Sequence, residues 1–106
     1  MKICVSAMSG SMEAKVSERF GRAPYFVIVE SDNMSFTPVL NAAENMQGGA
    51  GPEAVRQAAA GGAQVVLTGE LGPNAKTALE AAGIKGVTGV SGAKTVRQAV
   101  EEYMKK

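Results

Sequence analysis

Apolar positions fall along this chain in two rhythms. Unbroken apolar runs occur at Ile3-Cys4-Val5, Tyr25-Phe26-Val27-Ile28-Val29 and Val65-Val66-Leu67. Runs of this kind suit strands covered on both faces rather than strands with one wet face. They predict strands over residues 2–6, 25–29 and 64–68. Ser31-Asp32-Asn33 is a turn signal, because short polar side chains bond their own backbone. It predicts a hairpin that returns Ser35 to Asn41 alongside the second run, and Pro38 within that returning strand fits an edge. Elsewhere the spacing is helical. Ala54, Val55, Ala58 and Ala59 predict a helix from Pro52 to Ala60, stopped by Gly61-Gly62. Ala75, Ala78, Leu79 and Ala82 predict another from Pro73 to Ala82, closed by Gly83 as a left-handed cap. A strand from Ile84 to Thr88 and a helix from Ala93 to Met104 follow. In that helix Val96, Ala99, Val100 and Tyr103 form the apolar stripe, and Lys105-Lys106 stand at its negative end. Ala7 to Lys15 reads as a loop, and Val16 to Phe20 as a short helical turn.

A hairpin followed by alternating helix and strand predicts one α/β domain over residues 1–106, a mixed five-stranded sheet with helices on its faces. Ligands of such sheets gather beyond the carboxyl ends of the parallel strands. Two glycine-bearing helix starts suit that place. One is Gly48-Gly49-Ala50-Gly51-Pro52, the other Gly69-Glu70-Leu71-Gly72-Pro73-Asn74. Proline in a first helical turn sacrifices only an N–H that has no helical partner there. The remaining free amides at a positive helix end suit an anion. Gly49, Ala50, Gly51, Gly72, Pro73 and Asn74 are therefore the candidate binding backbone. Arg22, after Phe20-Gly21, is the candidate clamp, since a guanidinium meets a multiply charged anion with several donors. Glu70, in the turn before Gly72, would repel an anion or hold a cation.

Composition narrows the chemistry. With 106 residues, 45% of them apolar, the chain can build one real core, and its composition argues against disorder. A formal net charge of +1 excludes charge-driven nucleic-acid binding. No apolar run approaches the roughly 20 residues of a membrane span. Met1-Lys2-Ile3-Cys4-Val5-Ser6 is too short and too soon polar for a signal peptide. A single cysteine forms no internal disulfide, which points to a reducing cytoplasm. Without histidine there is no Ser-His-Asp triad, no Cys-His pair and no imidazole zinc site. The acidic residues are scattered, with no spacing that suggests a shared proton or a metal dyad. Gly49-x-Gly51-x-x-Ala54 loosely matches the dinucleotide fingerprint, with Glu70 downstream. Ala42 to Gly48 separate it from the preceding strand, however, and a phosphate loop of the Gly-Lys-Ser/Thr type is absent. The soft donors are Cys4, Met8, Met12 and Met46. Sulfur favours soft metals and clusters, and Cys4 is the candidate metal ligand, with Met8 and Met12 as further cofactor contacts. The competing reading of Cys4 is a small buried apolar residue. No Cys-x-x-Cys exists, so a bound cluster would be held mainly by non-covalent contacts.

Glu18-Arg19-Phe20-Gly21-Arg22-Ala23-Pro24-Tyr25-Phe26, then Asn41, then Gly48-Gly49-Ala50-Gly51, then Gly69-x-x-Gly72-Pro73-Asn74-Ala75, taken in this order, resemble the dinitrogenase iron–molybdenum cofactor biosynthesis family. That family includes NifX-type carriers and the C-terminal domain of some NifB proteins, and the resemblance covers nearly the whole chain. It implies a ribonuclease-H-like three-layer fold. It also implies transient binding or carriage of an iron–sulfur or molybdenum-containing sulfide cluster, or a precursor, with cofactor-assembly proteins as partners. The expected state is a monomer or weak homodimer. Where relatives carry an acidic residue and glycine after the first strand, this chain has Ala7-Met8-Ser9-Gly10-Ser11, and the histidine of some cluster-binding members is missing. Relatives also occur outside nitrogen fixation. The orange-protein branch, similar in size, carries a molybdenum–copper sulfide cluster.

The expectation is thus a non-catalytic protein for an anionic metal–sulfur cofactor. The alternatives are an enzyme or sensor for a small anionic metabolite, and a protein-interaction module with a vestigial pocket.

Overall fold

A computed structural model describes residues 1–105; Lys106, expected beside Lys105 at the last helix's negative end, lies outside them. The elements are β1 (Lys2–Ala7), β2 (Tyr25–Glu30), β3 (Ser35–Leu40), α1 (Ala50–Ala60), β4 (Val65–Leu67), α2 (Pro73–Ala82), β5 (Lys85–Val87) and α3 (Val96–Met104). They form one five-stranded sheet in the order β3-β2-β1-β4-β5. β2 is antiparallel to β1 and to β3, whereas β4 is parallel to β1 and β5 to β4. The sheet is mixed, as expected, and only β2 runs against the rest. The predicted hairpin is β2–β3, and Pro38 sits in the edge strand β3, opposite Val27.

The apolar runs alternate between two cores. Ile3, Val5 and Ala7 of β1, with Val27, Val29, Val65 and Leu67, meet Val96, Ala99 and Val100 of α3 on one face. Cys4, Phe26, Ile28 and Val66 meet Ala54, Val55 and Ala58 of α1 and Ala75 and Leu79 of α2 on the other. Helices on both faces make three layers. They also explain why the central strands read as unbroken apolar runs.

Three expectations are corrected. Residues Val16 to Phe20 do not form a helical turn; the segment runs irregularly, pairing only at single positions. Val16 bridges Ala7, Lys15 bridges Thr95 and Arg19 bridges Glu70. The segment thus crosses the ends of the parallel strands, and Ser6 Oγ anchors it by donating to Ser17 O at 2.6 Å, with the Thr68 hydroxyl within hydrogen-bond distance of Ser6 Oγ at 2.7 Å. Helix α1 starts at Ala50, two residues before Pro52, because Gly49 takes the left-handed conformation (φ 74°) that turns the chain into it. Helix α3 starts at Val96 rather than Ala93. Thr95 caps it, accepting from Gln98 N, while the Gln98 side chain accepts from Thr95 N, a reciprocal capping box.

β1, β3, β4 and β5 all run the same way. The segments that follow them, including the starts of α1 and α2, therefore gather at one edge of the sheet.

Candidate functional site

At that edge lies a cleft of about 300 Å³, lined by residues 19–22, 49–52, 70 and 72–75. Seven predicted site residues meet there: Arg22, Gly49, Ala50, Gly51, Gly72, Pro73 and Asn74. Its floor is two helix N-termini side by side. Neither carries a side-chain cap. The first amides bonded into each helix are Glu53 N to Gly49 O at 3.1 Å and Lys76 N to Gly72 O at 3.0 Å. The amides of Ala50, Gly51, Asn74 and Ala75 precede these bonds, and each helix adds the positive end of its dipole.

Glycines keep these amides uncovered. A Cβ on Gly21 would lie 3.3 Å from Gly51 N, and a Cβ on Gly51 would lie 3.3 Å from Ala75 N and 3.0 Å from Ala75 Cβ. Each missing side chain leaves the next amide open and lets the two helix starts approach. The Glu53 carboxylate, in the first turn of α1, is turned to Arg56 at 2.5 and 2.9 Å. That guanidinium holds the carboxyl below its usual range, so part of the negative charge at this helix start is compensated.

A buried amide knot builds the wall opposite. Asn41 Nδ2 donates to Ala23 O at 2.8 Å and Gly21 O at 3.2 Å. Its Oδ1 accepts from Ala43 N at 2.8 Å and from Gln57 Nε2 at 2.9 Å. Gln57 Oε1 accepts from Ala42 N. Asn41 thereby ties the Gly21–Ala23 turn, the segment before α1 and α1 itself together. Arg22 closes the same wall, donating to Glu44 O at 3.1 Å and to Met46 O. In the sequence Asn41 stands out only through the family resemblance, since an asparagine just after a strand carries no local sign that it spans two loops. Arg19 and Glu70 also face the cleft, facing each other across a backbone bridge. Like Asn41, Arg19 belongs to the resemblance, and nothing local shows that residues 16–19 cross the sheet edge.

The sulfur residues stand apart. Cys4, Met8 and Met12 do not line the cleft. Met12 is buried on the α3 face, and Met8 is 55% exposed. Cys4 is fully buried beneath α1 and α2, and burial pushes its thiol up to about 12. A thiolate, not a thiol, ligates metal, so in this fold Cys4 packs as an apolar side chain and is not placed as a ligand. Folded protein should therefore resist iodoacetamide at pH 8 and react stoichiometrically once urea unfolds it. Labelling of the folded chain at the rate of a free thiol would refute that. Among the described residues no three His, Cys, Asp or Glu side chains converge on one point, and no helix is long and apolar enough to cross a membrane.

Comparison with known proteins places the chain beside named relatives. The family described as dinitrogenase iron-molybdenum cofactor matches residues 1–106. The apo form of the orange protein from Desulfovibrio gigas is 42% identical, with a TM-score of 0.94 over 98% of this chain and 87% of that one. A putative NifB protein from Thermotoga, placed in the DUF35 family, is 27% identical, with a TM-score of 0.83 over 98% of this chain and 87% of that one. A search of curated proteins returns no match.

Proposed function

The chain belongs to the dinitrogenase iron-molybdenum cofactor family, and from that membership we propose that it is a non-catalytic carrier that takes up an anionic metal–sulfur cluster in the cleft between α1 and α2. The family and its structural relatives point to binding or carriage of such a cofactor. The observation that carries the site is the pairing of two uncapped helix starts, whose open amides share one cleft with two arginines. Sulfide clusters carry net negative charge, and backbone amides with guanidinium groups complement it without a covalent bond. The cluster is cargo, and these donors let it leave as well as enter. The strand order β3-β2-β1-β4-β5 with β2 reversed supports the ribonuclease-H-like reading of the fold. Among the described residues only one carboxylate, Glu70, lines the cleft; with no histidine in the chain, no acid–base pair is at hand for turnover. The similarity to the orange protein favours a cluster of the molybdenum–copper sulfide kind over one confined to nitrogen fixation.

The direct test is purification without oxygen from the native host, with a visible spectrum and elemental analysis for Fe, Mo, Cu and S, followed by titration of the apo protein with tetrathiomolybdate. The expected result is a coloured sulfide-bearing protein, or an apo protein that binds the probe at one site with salt-weakened affinity. A colourless, metal-free protein that also takes up no probe would refute the carrier reading. The same titration checks the electrostatics. Glu70 places a negative charge beside the cargo, so Glu70→Gln should raise affinity about three- to tenfold, equivalent to about 1 kcal/mol for a partly screened charge a few ångströms away. The gain should shrink as salt is added. Unchanged or weaker binding would show that Glu70 does not face the anion.

A further inference from the structure

We propose that Arg19, rather than Arg22, is the side chain that takes up the anionic cargo, and that Arg22 is the clasp that shapes the cleft wall. The inference rests on the carrier reading and assigns the contact residue within it. Both guanidinium groups belong to the cleft, but their surroundings differ. Arg22 is half-buried and already committed. Its guanidinium donates to Glu44 O and Met46 O, and Asn41 holds its flanking carbonyls, Gly21 O and Ala23 O. Asn41 N also donates to Pro24 O at 3.1 Å. An anion that drew Arg22 away would strip donors from two backbone carbonyls and loosen the segment leading into α1.

Arg19 has the opposite arrangement. Its backbone is fixed, while its side chain is open. Around it Glu70 N donates to Glu18 O at 2.7 Å and Phe20 N to Glu70 O at 3.4 Å, and Ser17 Oγ donates to Arg19 O at 3.4 Å. The side chain is exposed, and among the described residues its guanidinium makes no hydrogen bond or ion pair. It borders both the cleft and an open depression of about 550 Å³ on its other side, lined by residues 18, 19, 69, 70 and 89–91. A guanidinium on a rigid backbone, uncommitted and at the boundary of two concave surfaces, is a donor that an incoming anion recruits without breaking anything.

The experiment is anaerobic titration of Arg19→Gln, Arg19→Lys and Arg22→Gln with tetrathiomolybdate at two salt concentrations, alongside each variant's Tm and amide hydrogen exchange. For Arg19→Gln we expect at least tenfold weaker binding, a shallower salt dependence and an unchanged Tm, with Arg19→Lys recovering part of the affinity. For Arg22→Gln we expect a lower Tm and faster exchange over residues 42–48, with the salt dependence of whatever binding remains kept as in the parent. Wild-type affinity in Arg19→Gln, or a loss at Arg22→Gln that equals or exceeds it with Tm and exchange unchanged, would overturn the assignment and leave the carrier reading standing. Absence of probe binding by the parent protein would instead remove the carrier reading itself, and the assignment with it.

Discussion

Gly72→Asp should leave the protein as stable as before, or slightly more so, and abolish most of its affinity for an anionic cluster. Gly72 is the residue before the first turn of α2, with the extended backbone (φ −69°, ψ 162°) that a capping residue takes. A Cβ there meets nothing within 4 Å. An aspartate in this place can fold its carboxylate onto the amides of Asn74 and Ala75, the second and third helical positions, as capping aspartates do. Relative to glycine that adds a few tenths of a kcal/mol. The same carboxylate then occupies the amides proposed for the cargo and repels it. Hydrogen bonds to charged groups contribute about 1.5–3 kcal/mol, so affinity for tetrathiomolybdate should fall roughly tenfold to a hundredfold. Gly72→Ala, which offers no acceptor, should lose much less. The two readouts move in opposite directions, so misfolding cannot imitate the result. Gly72→Asp protein with full affinity would show that the cargo does not sit on the start of α2.

The largest loss of stability is expected at Gly69. A Cβ at this position would stand 2.6 Å from Glu18 Cα, 2.6 Å from Glu18 O and 2.7 Å from Glu18 Cβ. Two of these atoms are backbone, and that backbone is fastened, because Glu70 N donates to Glu18 O and Gly89 N to Gly69 O at 2.8 Å. Neither strand of the crossing can step aside alone. Gly69→Ala should therefore cost about 2–3 kcal/mol, at the upper end of ordinary overpacking, and lower Tm by roughly 10–20 °C in a domain of this size. Thermal unfolding followed by circular dichroism measures it. A fall of under 2 °C would mean that residues 16–19 are not packed against the end of β4 as described. Because Arg19 follows Glu18, the variant should also lose cargo affinity at temperatures where it remains folded.

How far the sequence foretold the molecule depended on the range of the interaction responsible. β2, β4 and α2 were legible because their signals are local: unbroken apolar runs, a proline start, a left-handed glycine end. The two glycine-bearing helix starts were legible for the same reason, and their meeting in one cleft followed from the expectation that such sheets gather ligands at one edge. The capping box of α3 is equally local, as Thr95 and Gln98 stand three apart, and it places the start of α3 at Val96 rather than at Ala93. The path of residues 15–20 is hidden from the sequence because two of its partners, Thr95 for Lys15 and Glu70 for Arg19, lie 80 and 51 positions away, beyond any local window. Asn41 and Arg19 were overlooked as site residues on the same account. Cys4 was ambiguous because its neighbours in sequence do not reveal the two helices that seal it from water.

The position of β1 in the middle of the sheet has a consequence for the order of folding. Its first neighbour, β2, follows within a short stretch of chain, but its second, β4, starts at Val65. A three-stranded meander of β1, β2 and β3 can close early, yet it leaves one side of the central strand unpaired and both apolar faces bare until the second half of the chain arrives. Pairings between distant segments form late, because closing a long loop must precede their reward. Both helix starts that floor the cleft come after this meander, at Ala50 and Pro73. A nascent or truncated chain ending before α2 therefore exposes a sticky strand edge and lacks one of the two helix starts that floor the cleft. On the proposed reading, the cleft is complete only once the start of α2 has joined the sheet, so binding of an anionic probe would report on the assembled fold.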